Sequence, residues 1–62
     1  MMTDEQRLKD ALQREEEAVR LYRSHAAHAH DERIKEMFEQ FAMNESWHAA
    51  AIRAKLERKD TS

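Results

Sequence analysis

Glu45 and His48 stand three residues apart in the stretch Asn44-Glu45-Ser46-Trp47-His48. On a helix this spacing puts a carboxylate and an imidazole on one face, one above the other. Apolar residues lead into the pair at Ile34, Phe38 and Phe41 and resume at Ile52. The pair therefore occupies two positions of a stripe whose steps alternate between four and three, and that stripe is expected to face a core. Burying both groups is costly unless something satisfies them. A metal ion would do so, and Glu-x-x-His projecting inward is how helical bundles hold carboxylate-bridged metal pairs. A charge pair that fixes helix register is the structural alternative.

The elements that position these residues are long helices. The 62 residues include no glycine, proline or cysteine. A disulfide framework, a zinc finger, a thiol nucleophile and a glycine-rich phosphate loop are all excluded. A chain rich in Ala, Glu, Lys, Arg and Leu with helical periodicity reads as all-α. Residues 1–62 form one unit. The spacing predicts a first helix over about 4–28 and a second over about 32–58. Thr3 is the expected N-cap, with Gln6 completing a capping box. Asp4 and Glu5 suit the positive end of the helix dipole. Asp31 is the expected N-cap of the second helix, followed by Glu32. The turn falls at about His28 to His30, and Asp60, Thr61 and Ser62 are expected to fray.

The net charge is −2, with both signs interspersed, and no basic face favours nucleic acid. No apolar run is long enough for a membrane span or a signal-peptide core. The expected compartment is the cytoplasm.

The first helix carries its own stripe: Leu8, Leu12, Glu15, Val19, Tyr22 and Ala26, widened by Ala11 and Ala18. Here too a carboxylate interrupts it. In an antiparallel hairpin turning near residue 30, residues equally far from the turn share a level. That pairs Glu15 with Glu45, Leu12 with His48, Leu8 with Ile52, Val19 with Phe41, Tyr22 with Phe38 and Ala26 with Ile34. The three polar residues thus fall at one height. A lone hairpin of this size buries a poor core. Two copies would bury both stripes and supply four Glu and two His, the complement of a carboxylate-bridged site. The site is expected between two chains, with a homodimer as the minimum assembly.

Carboxylates and imidazole without sulfur suit iron or manganese, and also bind zinc. Bridging carboxylates can hold two metals about 3.5–4 Å apart. With iron the chemistry is oxidation of Fe(II) to Fe(III). In each half-site Glu15 is the terminal carboxylate, Glu45 the bridging carboxylate and His48 the neutral imidazole ligand. Glu16 and Glu17 read as solvated surface. His25, His28 and His30 cross a helix end and read as polar turn residues rather than a second metal site. Trp47 is rotated off the stripe and reads as an interface residue. Arg53, Lys55, Arg58 and Lys59 read as compensation of the helix dipole and as solubility.

Glu15-x6-Tyr22 followed by Glu45-x-x-His48 resembles half of a ferritin-like di-iron protein of the rubrerythrin type. A single hairpin with this gap is most similar to the encapsulated ferritins. The likeness spans roughly Leu12 to Leu56, including Glu15-Glu16-Glu17-Ala18-Val19, Tyr22, Asp31 and Glu45-Ser46-Trp47-His48-Ala49-Ala50. The resemblance implies a ferroxidase with Glu15, Glu45 and His48 as iron ligands at a di-iron centre shared between two chains. Tyr22 would hydrogen-bond a ligand carboxylate. It further implies annular decamers, and action inside an encapsulin nanocompartment whose shell stores the oxidised iron. Glu17 matches one member of the family's outer acidic pair for arriving metal, but Arg14 stands at the other position. The family's extra C-terminal helix and shell-targeting peptide have no counterpart in these residues. A shorter relative and a piece of a longer chain are both compatible with that. A rubredoxin-type cysteine motif is absent as well.

The competing reading is a non-catalytic helical self-association module. Its Glu/His layer would specify pairing or hold structural zinc or manganese.

Overall fold

A computed structural model of the chain describes residues 1–61, with side chains through Arg58. The fold is an all-α hairpin of α1 (Asp4–His28) and α2 (Glu32–Thr61), packed against each other, with no strand among the described residues. α2 is thus described three residues beyond the expected end near Arg58. Ser62, and with it the last residue of the expected frayed tail, lies outside the described residues.

Local chemistry sets the boundaries. Thr3 and Gln6 form the capping box reciprocally. The Gln6 amide donates to Thr3 Oγ1 at 3.1 Å, and the Thr3 amide donates to Gln6 Oε1 at 2.8 Å. Two donors that the first helical turn leaves unpaired are thereby satisfied. At the start of α2, Asp31 Oδ1 accepts from the amides of Arg33 (2.8 Å) and Ile34 (3.3 Å). α1 ends without a left-handed residue: Ala29 is extended, with φ −70° and ψ 136°, and its amide still reaches Ala26 O at 3.4 Å. No residue among those described has positive φ. A hairpin turned this way has no need of the glycine that the sequence lacks. His28 Nδ1 donates to Ser24 O at 2.8 Å, satisfying one of the last carbonyls of α1.

The helices meet along a seam of small residues. Among the described residues Ala26, Ala42 and Ala49 are the buried ones, at 5%, 5% and 2% exposure. Ala42 and Ala49 are seven apart, the period of a helix–helix seam. Around them Leu8, Leu12, Val19 and Tyr22 of α1 and Phe38, Ile52 and Leu56 of α2 are half-buried.

This corrects the expected orientation of α2. Ile34 and Phe41 are 47% and 39% exposed, and the His48 side chain is 61% exposed. The stripe through Ile34, Phe41 and His48 does not face α1 in the way the spacing suggested. Alanines at 42 and 49 let the backbones approach closely, so α2 turns that edge inward. Phe41 and His48, one residue earlier in each case, swing about 100° toward an open face of the hairpin. Phe38 and Glu45 lie between the two directions.

An aromatic layer fills the half nearer the turn. The Tyr22 ring lies 6.1 Å from Phe38 and 5.4 Å from Phe41, and His25 lies 5.1 Å from Phe38. These contacts place Tyr22 level with the pair Phe38 and Phe41, which sets the register of the two helices.

If the alanine seam sets how closely the helices approach, Ala49→Leu should overpack it. A loss of about 1–3 kcal/mol in thermal unfolding is expected. The neighbouring exposed change Ala50→Leu should move stability by less than about 0.5 kcal/mol.

Candidate metal centre

One heptad further from the turn the same register repeats with different chemistry. Where Tyr22 sits against Phe38 and Phe41, Glu15 sits against Glu45 and His48. His48 Nδ1 lies 3.5 Å from Glu15 Oε2 and 3.2 Å from Glu45 Oε1. One ligating atom from each of the three residues falls within 4.8 Å of the others. Ligands at about 2.1 Å from a common ion and at right angles to one another stand roughly 3 Å apart. The observed spacings are close to what a shared cation needs.

The environment is only partly wet. The Glu15 and Glu45 side chains are 24% and 25% exposed, whereas His48 opens to the hairpin's free face. Glu15 Oε2 is buried and has no hydrogen-bond partner. The 3.5 Å approach of His48 is a contact without hydrogen-bond geometry. A buried, unpartnered carboxylate oxygen is costly, and a cation is the natural remedy. The donor set fits iron or manganese, with no sulfur to select a softer ion. One chain supplies three ligands, so further positions must be filled from outside it.

Without a cation, the cluster raises the proton affinity of Glu15. The neighbouring Glu45 carboxyl is the leading cause. By its closeness and its charge it pushes the Glu15 carboxyl above its ordinary range. Burial acts in the same direction, and His48 opposes it more weakly. No hydrogen bond joins the two carboxylates in the structure; their close approach makes it costly to charge both.

The other expected site residues are placed differently. Tyr22 is packed among rings, and its hydroxyl makes no hydrogen bond among the described residues. The expected bond to a ligand carboxylate is therefore not formed within one chain. Glu17 is exposed and accepts from Gln13 Nε2 at 3.3 Å, apart from the cluster. Arg14 pairs with Asp10 at 3.0 Å. Among the described residues the three turn histidines form no metal-ligand group.

Two residues read as surface are joined instead. Arg53 donates to Glu16 across the helices. The two are far from level, but side chains lean toward the N-terminus of their own helix. In an antiparallel pair Arg53 leans toward the turn and Glu16 leans away from it, so they converge. That lean is the signal that could have found the pair.

A helical hairpin with Glu on one helix and Glu-x-x-His on the next has the half-unit of a ferritin-like metal bundle. The family model for rubrerythrin matches residues 6–62, and the chain belongs to the rubrerythrin family. That family typically binds iron, and its domain is a di-iron, ferritin-like one. No curated protein and no solved structure matches the chain. No helix among the described residues is long and apolar enough to cross a membrane.

The Glu15 proton gives a pH prediction. A folded-state value above the ordinary 4.5 means that the folded chain holds this proton to higher pH than the unfolded chain does. The resulting stabilisation is full below 4.5 and is lost as pH rises through the folded value. In metal-free protein, the melting temperature of the wild type relative to Glu15→Gln should therefore fall as pH rises from 4.5 toward neutrality. A flat difference would mean that Glu15 carries no raised proton affinity.

Proposed function

We propose that this chain is a ferroxidase whose working site forms when two hairpins pair through their open faces. The observation that carries the reading is the gathering of Glu15, Glu45 and His48 at that face around a buried oxygen with no partner. Fe(II) is the substrate, and each ion gives up one electron to dioxygen or peroxide.

The chain's own groups do the positioning. Glu15 enters from α1 as the terminal carboxylate. Glu45 and His48 enter from α2, the first placed to bridge and the second as a neutral imidazole donor. Fe(II) would compete with a proton for Glu15, whose proton affinity the layer raises. Two carboxylates and one divalent ion then sum to zero charge, which lowers the cost of burying the layer. Metal loading and pairing therefore favour each other.

The open face also supplies an apolar reason to pair. Leu21, Ile34, Met37 and Phe41 are all exposed. Covering each would contribute roughly 1 kcal/mol or more at ~25 cal/mol per Å². Tyr22 is the residue we assign to a ligand carboxylate once the pair has assembled. The likeness to encapsulated ferritins extends the proposal to an annular decamer in the cytoplasm, working within an encapsulin shell.

The test is an anaerobic Fe(II) titration with sedimentation, followed by an oxygen pulse. Saturation near one iron per chain, a shift to dimer or larger, and rapid ferric absorbance are expected. Glu45→Gln and His48→Ala should each slow oxidation at least tenfold, and Phe41→Lys should lower both pairing and rate. An iron-loaded sample that stays strictly monomeric would sink the intersubunit site. Metal-dependent assembly with zinc or manganese and no oxygen consumption would favour the structural-layer reading.

A further inference from the structure

The face of the hairpin opposite His48 carries a second feature that the metal chemistry does not use. Ser46 lies about 160° around α2 from His48, in the groove between the helices. Ala49 and Val19 line that groove, and the smallness of the buried alanine opens the depression, which encloses about 250 Å³. Its remaining lining is Arg20 and Arg23 of α1, Arg53 of α2, and Glu16. A neighbouring depression shares Arg23 and Ser46 and continues over Ala42 to Met43 and the carboxylate of Glu39.

The charge there leans positive. Glu16 is engaged by Arg53. No carboxylate pairs with Arg20 or Arg23 among the described residues, and the Ser46 hydroxyl has no hydrogen-bond partner there. Three guanidinium groups against Glu16 and, in the adjoining depression, Glu39 leave a local balance of one positive charge, in a chain whose net charge is −2. Guanidinium forks match the oxygens of a tetrahedral anion with two parallel hydrogen bonds each. A free serine hydroxyl adds a neutral donor. Pairing through the His48 face would leave this groove open to solvent.

We propose that the groove bounded by Arg20, Arg23, Arg53 and Ser46 binds a doubly charged phosphate-class oxyanion. The site is shallow, so binding is weak, in the millimolar range typical of exposed ion pairing. The anion is either free inorganic phosphate or the phosphomonoester of a small molecule, and the two share the chemistry that the groove reads. This proposal does not rest on the ferroxidase reading.

The test is a titration of the full chain, both as purified and after chelation, followed by NMR of arginine Nε–H and backbone amide signals. Inorganic phosphate is added in one arm and glycerol phosphate in the other, with chloride holding ionic strength constant. Saturable shifts at Arg20, Arg23 and Ser46 are expected in both samples. Arg20→Ala combined with Arg23→Ala should weaken binding at least fivefold, and Arg7→Ala, remote and paired with Asp4, should leave it unchanged. Tighter phosphate binding identifies the free ion as ligand, and tighter glycerol phosphate binding identifies the ester. Uniform, unsaturating shifts at every arginine would overturn the proposal. So would shifts confined to residues around Glu45 and His48 that vanish on chelation, because phosphate would then be reading a metal.

Discussion

The close contact of α1 and α2 along Ala42 and Ala49 is the constraint on which the rest of the molecule depends. Small side chains allow an interhelical approach that leucine or phenylalanine would hold open. That approach fixes how α2 is rotated about its axis. The rotation inserts one α1 side chain between an i, i+3 pair of α2 at each heptad. In one layer the inserted residue is Tyr22 between two phenylalanines. In the next it is Glu15 between Glu45 and His48. The polar cluster is therefore a packing layer whose geometry was set by its apolar neighbours, and its chemistry is a substitution within that layer.

The same packing leaves the hairpin unfinished. With three alanines as its buried residues, it lacks the core that usually stabilises a chain of this size. Ile34, Met37 and Phe41 stay exposed on the side of α2 that carries His48. In the proposed function a second hairpin, a metal ion and the raised proton affinity of Glu15 would all act on that face. In our reading they are linked equilibria, each shifting the other two.

Much of this was legible in the sequence. The capping box at Thr3 and Gln6, the Asp31 cap and the helical periodicity place the two helices closely. Measuring outward from the turn brings Glu15 level with Glu45, and Tyr22 level with Phe38. What misled was the face. The large residues Ile34 and Phe41 read as the inner stripe because apolar bulk usually marks a core. Alanine is ambiguous, since it is both the best helix former and the best residue for close approach, so Ala42 and Ala49 gave no pattern of their own. Equal-level pairing also hid the Glu16–Arg53 bond, which depends on the lean of long side chains. Trp47, at 65% exposed, lies off the seam, and the hairpin alone gives it no partner.

The polar layer lies near the middle of both helices: Glu15 is well inside Asp4–His28, and Glu45 well inside Glu32–Thr61. A second copy laid on the free face brings its own layer to about the same height whether its turn points the same way or the opposite way. The ligands therefore carry no information about polarity. That choice falls to the two dissimilar ends of the hairpin: the ring-filled end of Tyr22, Phe38 and Phe41, and the aliphatic end of Leu8, Ile52 and Leu56. Parallel pairing would set rings on rings, and antiparallel pairing would set rings on aliphatic chains. Side-chain shape at the ends, not chemistry at the centre, would decide which symmetry a pair of hairpins takes.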